Sequence, residues 1–392
     1  MQMELLLSAE YYKDDGCPTV LPVVRKVQQH IMNDPTLNHE YLPALGLPEF
    51  NTAATALLLG NDSIAIVEKR ADSIQVPGGN SALFIGAHFL YQWYNITYLK
   101  KARVYVSIPY WEKHASVFHY VGFQVYGYRY WNNDKLCLAM PHLLEDLERA
   151  PDYSIVLLHF IAHQPTATDP THAEWIQIAE VMKRKNHFPF FYGNAQGLAT
   201  GDVHRDAWPV RYFVNERFEF FCAQSFSTIF TLYNEGAGSL TIVSRNNHTL
   251  IRIRSQMEQV ARRTWSNPPS FGARIIATVL NNPAFLTEWQ ENLKKLAERL
   301  MLIKENLKKE LRTLGTPGSW EHITKQVGLY IFPGFTGYQV NYLMKKMHIY
   351  LSPSAQTNIS NVNSRNLAYL AHCIHEAVVS NSKESQSSIL SN

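Results

Sequence analysis

The sequence predicts a two-domain α/β protein, a mostly parallel sheet covered by helices on both faces and followed by a smaller α+β piece. Three observations predict it. Short, near-continuous apolar runs recur between helix-length segments, as strands buried on both faces require. One such run opens residues 218–235, FEFFCAQSFSTIFTLYNE, and ends in a polar turn, Ser225-Phe226-Ser227-Thr228. In open α/β sheets that end of a strand is where ligands bind. Finally, 392 residues at 46% hydrophobic content are enough for a substantial core and more than one domain.

In order, residues 1–19 read as a short strand and turn. Pro22 opens a helix with Val23, Val24, Val27 and Ile31 on one face, proline being tolerated in a first turn. The passage NHEYLPALGLPEF leads to a second helix stopped by Gly60 and Asn61. Pro77-Gly78-Gly79-Asn80-Ser81 precedes an aromatic-rich helix over 82–94. Strands ARVYVSIPY, FQVYGYRYW, SIVLLHF and FPFFYG then alternate with helices WEKHASVFHYVG, PHLLEDLERA and PTHAEWIQIAEVMKRK. After SLTIVS the pattern turns helical and ends in a long charged helix over 283–314. GLYIFPG, HIYLSPS and a helix over 366–379 form the smaller piece, and the polar tail KESQSSILSN is expected to be disordered.

Composition excludes several classes. Lysine and arginine number 36 against 33 acids, a net +3 too even to imply nucleic acid or an anionic membrane as partner. Cys17, Cys137, Cys222 and Cys373 lie far apart without C-x-x-C pairing, as buried free thiols in a reducing compartment would. No apolar run is long enough to span a bilayer, and the start MQMELLLSAEYY suits neither a signal peptide nor a mitochondrial presequence. A soluble cytosolic protein is expected.

Candidate chemistry read from residues alone is thin. Glycines before a helix N-terminus suit a phosphate, because free amides and the helix dipole both favour an anion. There is neither a Walker lysine nor a G-x-G-x-x-G here, so a plain loop-to-helix turn explains these residues equally. His159 and His163 end a strand, and His372 and His375 share a helix with Glu376. Neither pair has the further converging donors a zinc site needs, and both read as structural. Asp202 and Asp206 read as helix-start carboxylates, which the dipole favours.

A resemblance goes further. LPVVRKVQQHI, NHEYLPALGL, AHQPTATDPT, GDVHRDAWPVRYFV, FEFFCAQSFS, TWSNPPSFGARI, LGTPGSWEHIT and HIYLSPS resemble, in order, segments of the cytosolic aspartate aminotransferases and a divergent cytosolic paralogue of them. The resemblance spans nearly the whole chain, from about residue 5 to 379. It implies a fold-type-I pyridoxal-phosphate-dependent transferase with a three-layer large domain. It places that domain at 19–295 and a small α+β domain at 1–18 and 296–380, with 381–392 as tail. It further implies a homodimer with shared active sites, and pyridoxal phosphate as cofactor. Relatives carry an N-terminal arm that clasps the partner, and this sequence starts after it.

Residue by residue, the resemblance implies losses. The family's Schiff-base lysine aligns with Thr228, whose hydroxyl can neither condense with an aldehyde nor shuttle the substrate's α-proton. Between Lys185 and Lys294 there is no lysine at all. The aspartate that pairs with the pyridinium nitrogen aligns with Tyr192, and the tyrosine on the ring oxygen with Ala195. Gln164 stands for the neighbouring asparagine, Gly236 for the phosphate arginine and Gln356 for the arginine on the α-carboxylate. Of the phosphate loop, Gly78-Gly79-Asn80 keeps the central glycine without its flanking hydroxyls.

Other matches persist. Trp111 matches the indole stacked on the cofactor, His114 and His159 match site histidines, and Ser225 and Ser227 match the serines before the lysine. Tyr41, Arg262 and Ser266 match residues donated into the partner subunit's site, Arg262 toward a substrate side-chain carboxylate. Lys113, beside Trp111, is the one new amine the sequence places near the site. The family reaction converts L-aspartate and 2-oxoglutarate to oxaloacetate and L-glutamate. The changes imply an aspartate aminotransferase scaffold with weak or lost cofactor binding and no own-site chemistry. The alternatives are a residual or altered transaminase acting on small dicarboxylic amino or keto acids, a non-catalytic partner of an active cytosolic aspartate aminotransferase, or an anion-binding module.

Overall fold

The computed structural model describes residues 10–94, 102–352 and 354–390. The strand expected before residue 10 lies outside them. Described strands are β1 (Ala71–Pro77), β2 (Val104–Ile108), β3 (Val125–Arg129), β4 (Trp131–Asn132), β5 (Cys137–Leu138), β6 (Ile155–His159), β7 (Phe188–Gly193), β8 (Phe220–Ser225), β9 (Ala237–Val243), β10 (Tyr330–Ile331) and β11 (Thr357–Asn358). Seven form one sheet in the order β1-β9-β8-β7-β6-β2-β3. From β8 to β3 neighbours are parallel, whereas β9 is antiparallel to both β8 and β1. The carboxyl ends of β1, β2, β6, β7 and β8 therefore meet along one edge.

Strand alternation explains the layering. Phe190 and Phe221 pack on one face with Ile74, Leu83, Ile85 and Leu240, against the helices Gly79–Phe89 and Asn247–Thr264. Phe191 and Phe220 point to the other face, where Phe213, Trp175 and Phe50 fill the core. The helix Pro283–Thr313 buries Trp289, Leu293, Leu296, Leu300, Leu307 and Leu311 along one stripe. Its Arg299 donates to the Asp14 carboxylate and to the carbonyls of Tyr12 and Ser360, so both chain ends rest on one helix.

Most expected strands and helices are present with ends shifted by a residue or two. Strand β1 was not foreseen, and the reason is chemical. Its buried Ser73 hydroxyl bonds Thr55 and Thr241, and Gln75 accepts from the Leu47 amide while donating to the Pro269 carbonyl. Satisfied polar groups took the place of an apolar run. In the smaller piece Tyr330–Ile331, within GLYIFPG, pairs with Thr357–Asn358, just beyond HIYLSPS. The last described helix is Leu367–Leu390. Cys17 and Cys137 are exposed, one in a turn and one on a two-residue hairpin, whereas Cys222 and Cys373 are buried as expected. Among the described residues no helix is long and apolar enough to cross a membrane.

Candidate functional site at the carboxyl edge of the sheet

The helix Gly79–Phe89 begins at this edge, directly after β1. Gly78 precedes it at φ 89°, a conformation that favours glycine, and no side chain caps it. The first amides of the helix consequently lack acceptors. A Cβ on Gly238 of β9 would lie 2.5 Å from the Gly78 carbonyl carbon, so glycine there is what lets the loop sit down on the sheet. Gly236, at φ 57°, faces open space, with the Pro77 carbonyl carbon 3.9 Å from where its Cβ would be. The two positions the resemblance assigns to phosphate, Gly79 and Gly236, thus flank one loop.

The polar turn after β8 forms as the sequence predicts. Phe230 donates its amide to Phe226, Thr231 to Thr228 and Leu232 to Ser227, closing one tight turn. Phe226 and Phe230 anchor it in the core, leaving Ser225, Ser227 and Thr228 half-buried at the edge. None of these three hydroxyls has a hydrogen-bond partner among the described residues.

Tyr192, at the end of β7, is 7% exposed. A Cβ on Gly79 would lie 3.1 Å from its hydroxyl and 3.1 Å from the Ser225 Cβ. The His114 ring stands 4.1 Å from the Tyr192 ring between centroids, tilted by 56°. Burial raises the Tyr192 phenol above its ordinary range, so it stays protonated. The Gln164 amide donates to His159 Nδ1 at 2.8 Å, which fixes the His159 proton on Nε2. That nitrogen therefore donates to His114 Nδ1 at 3.2 Å.

The remaining expected residues are placed as follows. Gln164 is buried, Trp111 is half-buried at the start of the helix Glu112–Val121, and Lys113 is exposed in that helix's first turn. Gln356 is buried, and its amide nitrogen has no acceptor. Tyr41 is 81% exposed, and Ser266 is exposed. Arg262 projects into solvent and pairs with Glu258 one turn earlier at 2.6 Å, so it is not an interior arginine. Of the two aspartates, Asp202 caps a helix by accepting from His204 and Arg205. Asp206 is instead buried and gathers the amides of Gly197, Ala199 and Thr200.

Sequence reasoning missed Lys304. It is the one fully buried lysine among the described residues, donating at 2.9 Å to the carbonyls of Gln326 and Gly328. Burial lowers its amine to about 7, and Gly328 packs against Ala162 and Ala195, behind the site. The signal existed, since Lys304 falls on the apolar stripe of Leu300, Leu307 and Leu311. His163 was read as structural, and it stacks on Tyr130 at 3.7 Å between the hydroxyls of Ser107 and Thr166. Among the described residues no three His, Cys, Asp or Glu side chains cluster as metal ligands.

The three histidines make stability pH-dependent. Burial lowers His159 to about 3, and His114 and His163 likewise fall well below the ordinary imidazole value. The unfolded chain binds protons that the folded chain excludes, so this stabilisation is complete above pH ~6.5 and is lost as pH falls. His159 alone is expected to cost about 2 kcal/mol between pH 7.5 and 5. Asp169, pushed up to about 6 by burial, and Asp206, also raised by burial, act the other way as pH falls, but two carboxyls do not offset three imidazoles. Thermal unfolding at the two pH values checks this, and equal melting temperatures would contradict it.

The sequence matches the family described as aminotransferase class I and II over residues 2–374. It is 52% identical to the cytoplasmic aspartate aminotransferase of Gallus gallus, across 94% of this chain and 90% of that one. The Caenorhabditis elegans cytoplasmic enzyme is 42% identical over 94% and 89%. The Homo sapiens protein named "Putative aspartate aminotransferase, cytoplasmic 2" is 41% identical over 93% and 85%. Among solved structures, the cytoplasmic aspartate aminotransferase of Saccharomyces cerevisiae superposes with TM-score 0.91 at 34% identity, covering 95% of this chain and 91% of that one. An aromatic-amino-acid aminotransferase from Burkholderia pseudomallei, covalently bound to pyridoxal phosphate, gives 0.90 at 32% identity, covering 95% and 92%. Matched along nearly its whole length in sequence and in fold, the chain belongs to the class I and II aminotransferases, in their aspartate aminotransferase group.

Proposed function

We propose that this chain keeps the aspartate aminotransferase scaffold in the cytoplasm but has lost transamination at its own site. Thr228 carries the reading. It stands in the turn after β8 where the family presents an amine, and no lysine follows Lys185 until Lys294. The amines nearest the site do not replace it, because Lys113 is exposed and Lys304 is locked onto two carbonyls behind Ala195. Pyridoxal phosphate supplies an electron sink when bound, and the residues present do not fit it. A protonated phenol at Tyr192 cannot supply the anion that holds a pyridinium. Gly236 offers no cation to the phosphate, and Gln356 none to a carboxylate. A ligand in hundredfold excess over its Kd stabilises the fold by about 2.7 kcal/mol. Micromolar pyridoxal phosphate is therefore expected to shift the melting temperature by less than about one degree, and a rise of many degrees would overturn the reading.

A second reading concerns the partner. Homodimerisation follows from the family, and Tyr41, Arg262 and Ser266 are exposed, as residues serving a neighbouring subunit would be. The losses at Thr228, Tyr192, Ala195, Gly236 and Gln356 all fall on residues that the resemblance assigns to a subunit's own site. The chain can thus pair with an active cytosolic aspartate aminotransferase subunit, because an isologous interface presents the same patch twice. Co-expression and tag purification should yield the mixed dimer, and Arg262→Ala should lower its turnover of dicarboxylic substrates. Recovery of no mixed dimer, or unchanged kinetics, would end this reading.

A further inference from the structure

The aromatic-rich stretch over 82–94 ends far from the sheet edge that carries the site. After the helix Gly79–Phe89 the chain leaves the α-helical path, and Leu90–Tyr94 forms one wider π-helical turn. Such turns occur mostly at functional positions. This one begins ~15 Å along the helix from Gly79, at 1.5 Å per residue. A groove of about 690 Å³ runs between it and the helix Asn247–Thr264. Phe89, Trp93, Ile251 and Ile253 give the groove its apolar wall. Phe89 and Ile253 rest on the core beneath, whereas Trp93 is 43% exposed and Ile251 58% exposed. Apolar surface gathered in one exposed patch marks an interaction site, as a lone exposed leucine does not.

The groove is also electrically one-sided. Among the described residues no acid lines it. Arg252 lines it, is exposed and has no ion pair among them. Arg245 donates its Nε to the hydroxyl of Thr249, another lining residue, at 3.3 Å, which sets a second guanidinium at the same end. Glu219 accepts from the Arg245 backbone amide rather than from that guanidinium. The helix Asn247–Thr264 starts here, so the positive end of its dipole adds to the two arginines. Its single acid, Glu258, is already held by Arg262. An occupant must therefore bring its own carboxylates. The nearest stretch outside the described residues, 95–101, reads NITYLKK, with two lysines and no acid, and has the wrong charge.

We propose that this groove docks an acidic amphipathic helical segment of another protein. A helix shows apolar side chains one turn apart on one side with carboxylates beside them, which is how helical segments fill such grooves. The apolar anchors lie over Trp93 and Ile251, and the carboxylates meet Arg252 and Arg245. The surface stands apart from the residues expected to serve a second aminotransferase subunit. Arg262 lies eleven positions beyond Ile251 (262 less 251), ~16 Å along the helix. Docking there requires no chemistry at the sheet edge.

Fluorescence anisotropy of the full chain with labelled synthetic peptides of about 15 residues, long enough to hold a helix, tests it. The probe carries leucines at i, i+3, i+4 and i+7 with glutamates on both flanks, and the control replaces every glutamate by lysine. The glutamate peptide is expected to bind at least ~tenfold tighter than the lysine peptide, as a hydrogen bond between charged groups supplies. Arg252→Glu should reverse that preference. Ile251→Glu should weaken the glutamate peptide about tenfold or more by wetting the apolar wall. Both side chains are exposed, so neither change is expected to disturb the fold. Failure of the glutamate peptide to bind overturns the proposal, as does an unchanged preference in Arg252→Glu. Two further measurements separate other occupants. A smaller oligomer for Ile251→Glu in sedimentation velocity would give the groove to a second copy of the chain. Binding to phosphatidylserine vesicles that Arg252→Glu abolishes would give it to a lipid surface. Either result overturns the proposal.

Discussion

Thr228→Lys is expected to leave aspartate transamination no higher than in the unaltered chain. The substitution supplies the amine in a turn whose backbone is already in place. It restores nothing else. Gly236 faces open space where a phosphate would need a guanidinium, Gln356 is neutral, and Tyr192 fills the floor between His114 and Gly79. Removing one electrostatic or proton-transfer group costs ~10²–10³-fold in rate. Groups that act together fail as a unit, so returning one of five recovers almost none of the loss. A coupled assay with L-aspartate and 2-oxoglutarate reads this directly. Turnover in the single variant within about a hundredfold of an active aspartate aminotransferase would show that the other changes are tolerated.

Trp289→Ala is expected to destabilise the protein by about 4 kcal/mol. Trp289 is fully buried, stacks on Phe230 at 4.7 Å, and donates its indole N–H to the Ile229 carbonyl at 2.8 Å. Truncation opens a cavity and orphans that carbonyl together. Ile229 and Phe230 follow Thr228 in the turn after β8, so this side chain ties the long helix to the site turn. Trp289→Phe keeps the stack and loses the hydrogen bond, and should cost roughly 1–2 kcal/mol. Urea unfolding measures both. A loss under about 1.5 kcal/mol for the alanine variant would mean the turn is held elsewhere.

The parallel strands were legible because strands such as β6 and β8 are buried at almost every position and read as apolar runs. Strand β1 was hidden by Ser73 and Gln75, whose partners come from 55, 241, 47 and 269. Pairings that distant leave no local pattern. The site was half legible. The turn at Ser225–Thr228 announced itself by composition, and the resemblance identified each exchanged residue. What the residues do now was not legible. That Tyr192 touches Gly79 depends on β7 and β1 reaching the same sheet edge, 113 positions apart in sequence (192 less 79). The tautomers of His159 and His114 likewise follow from one amide, that of Gln164, in a loop whose course no spacing rule predicts.

This scaffold is expected to form no covalent imine with its family's cofactor. An absorption spectrum of the purified chain with pyridoxal phosphate, followed by borohydride reduction and peptide mapping, tests it most directly. The spectrum is expected to equal the sum of protein and free aldehyde, with no reduced adduct on peptides from the site. A visible imine band that borohydride abolishes, with the adduct mapped to a lysine of the site such as Lys113 or Lys304, would contradict it.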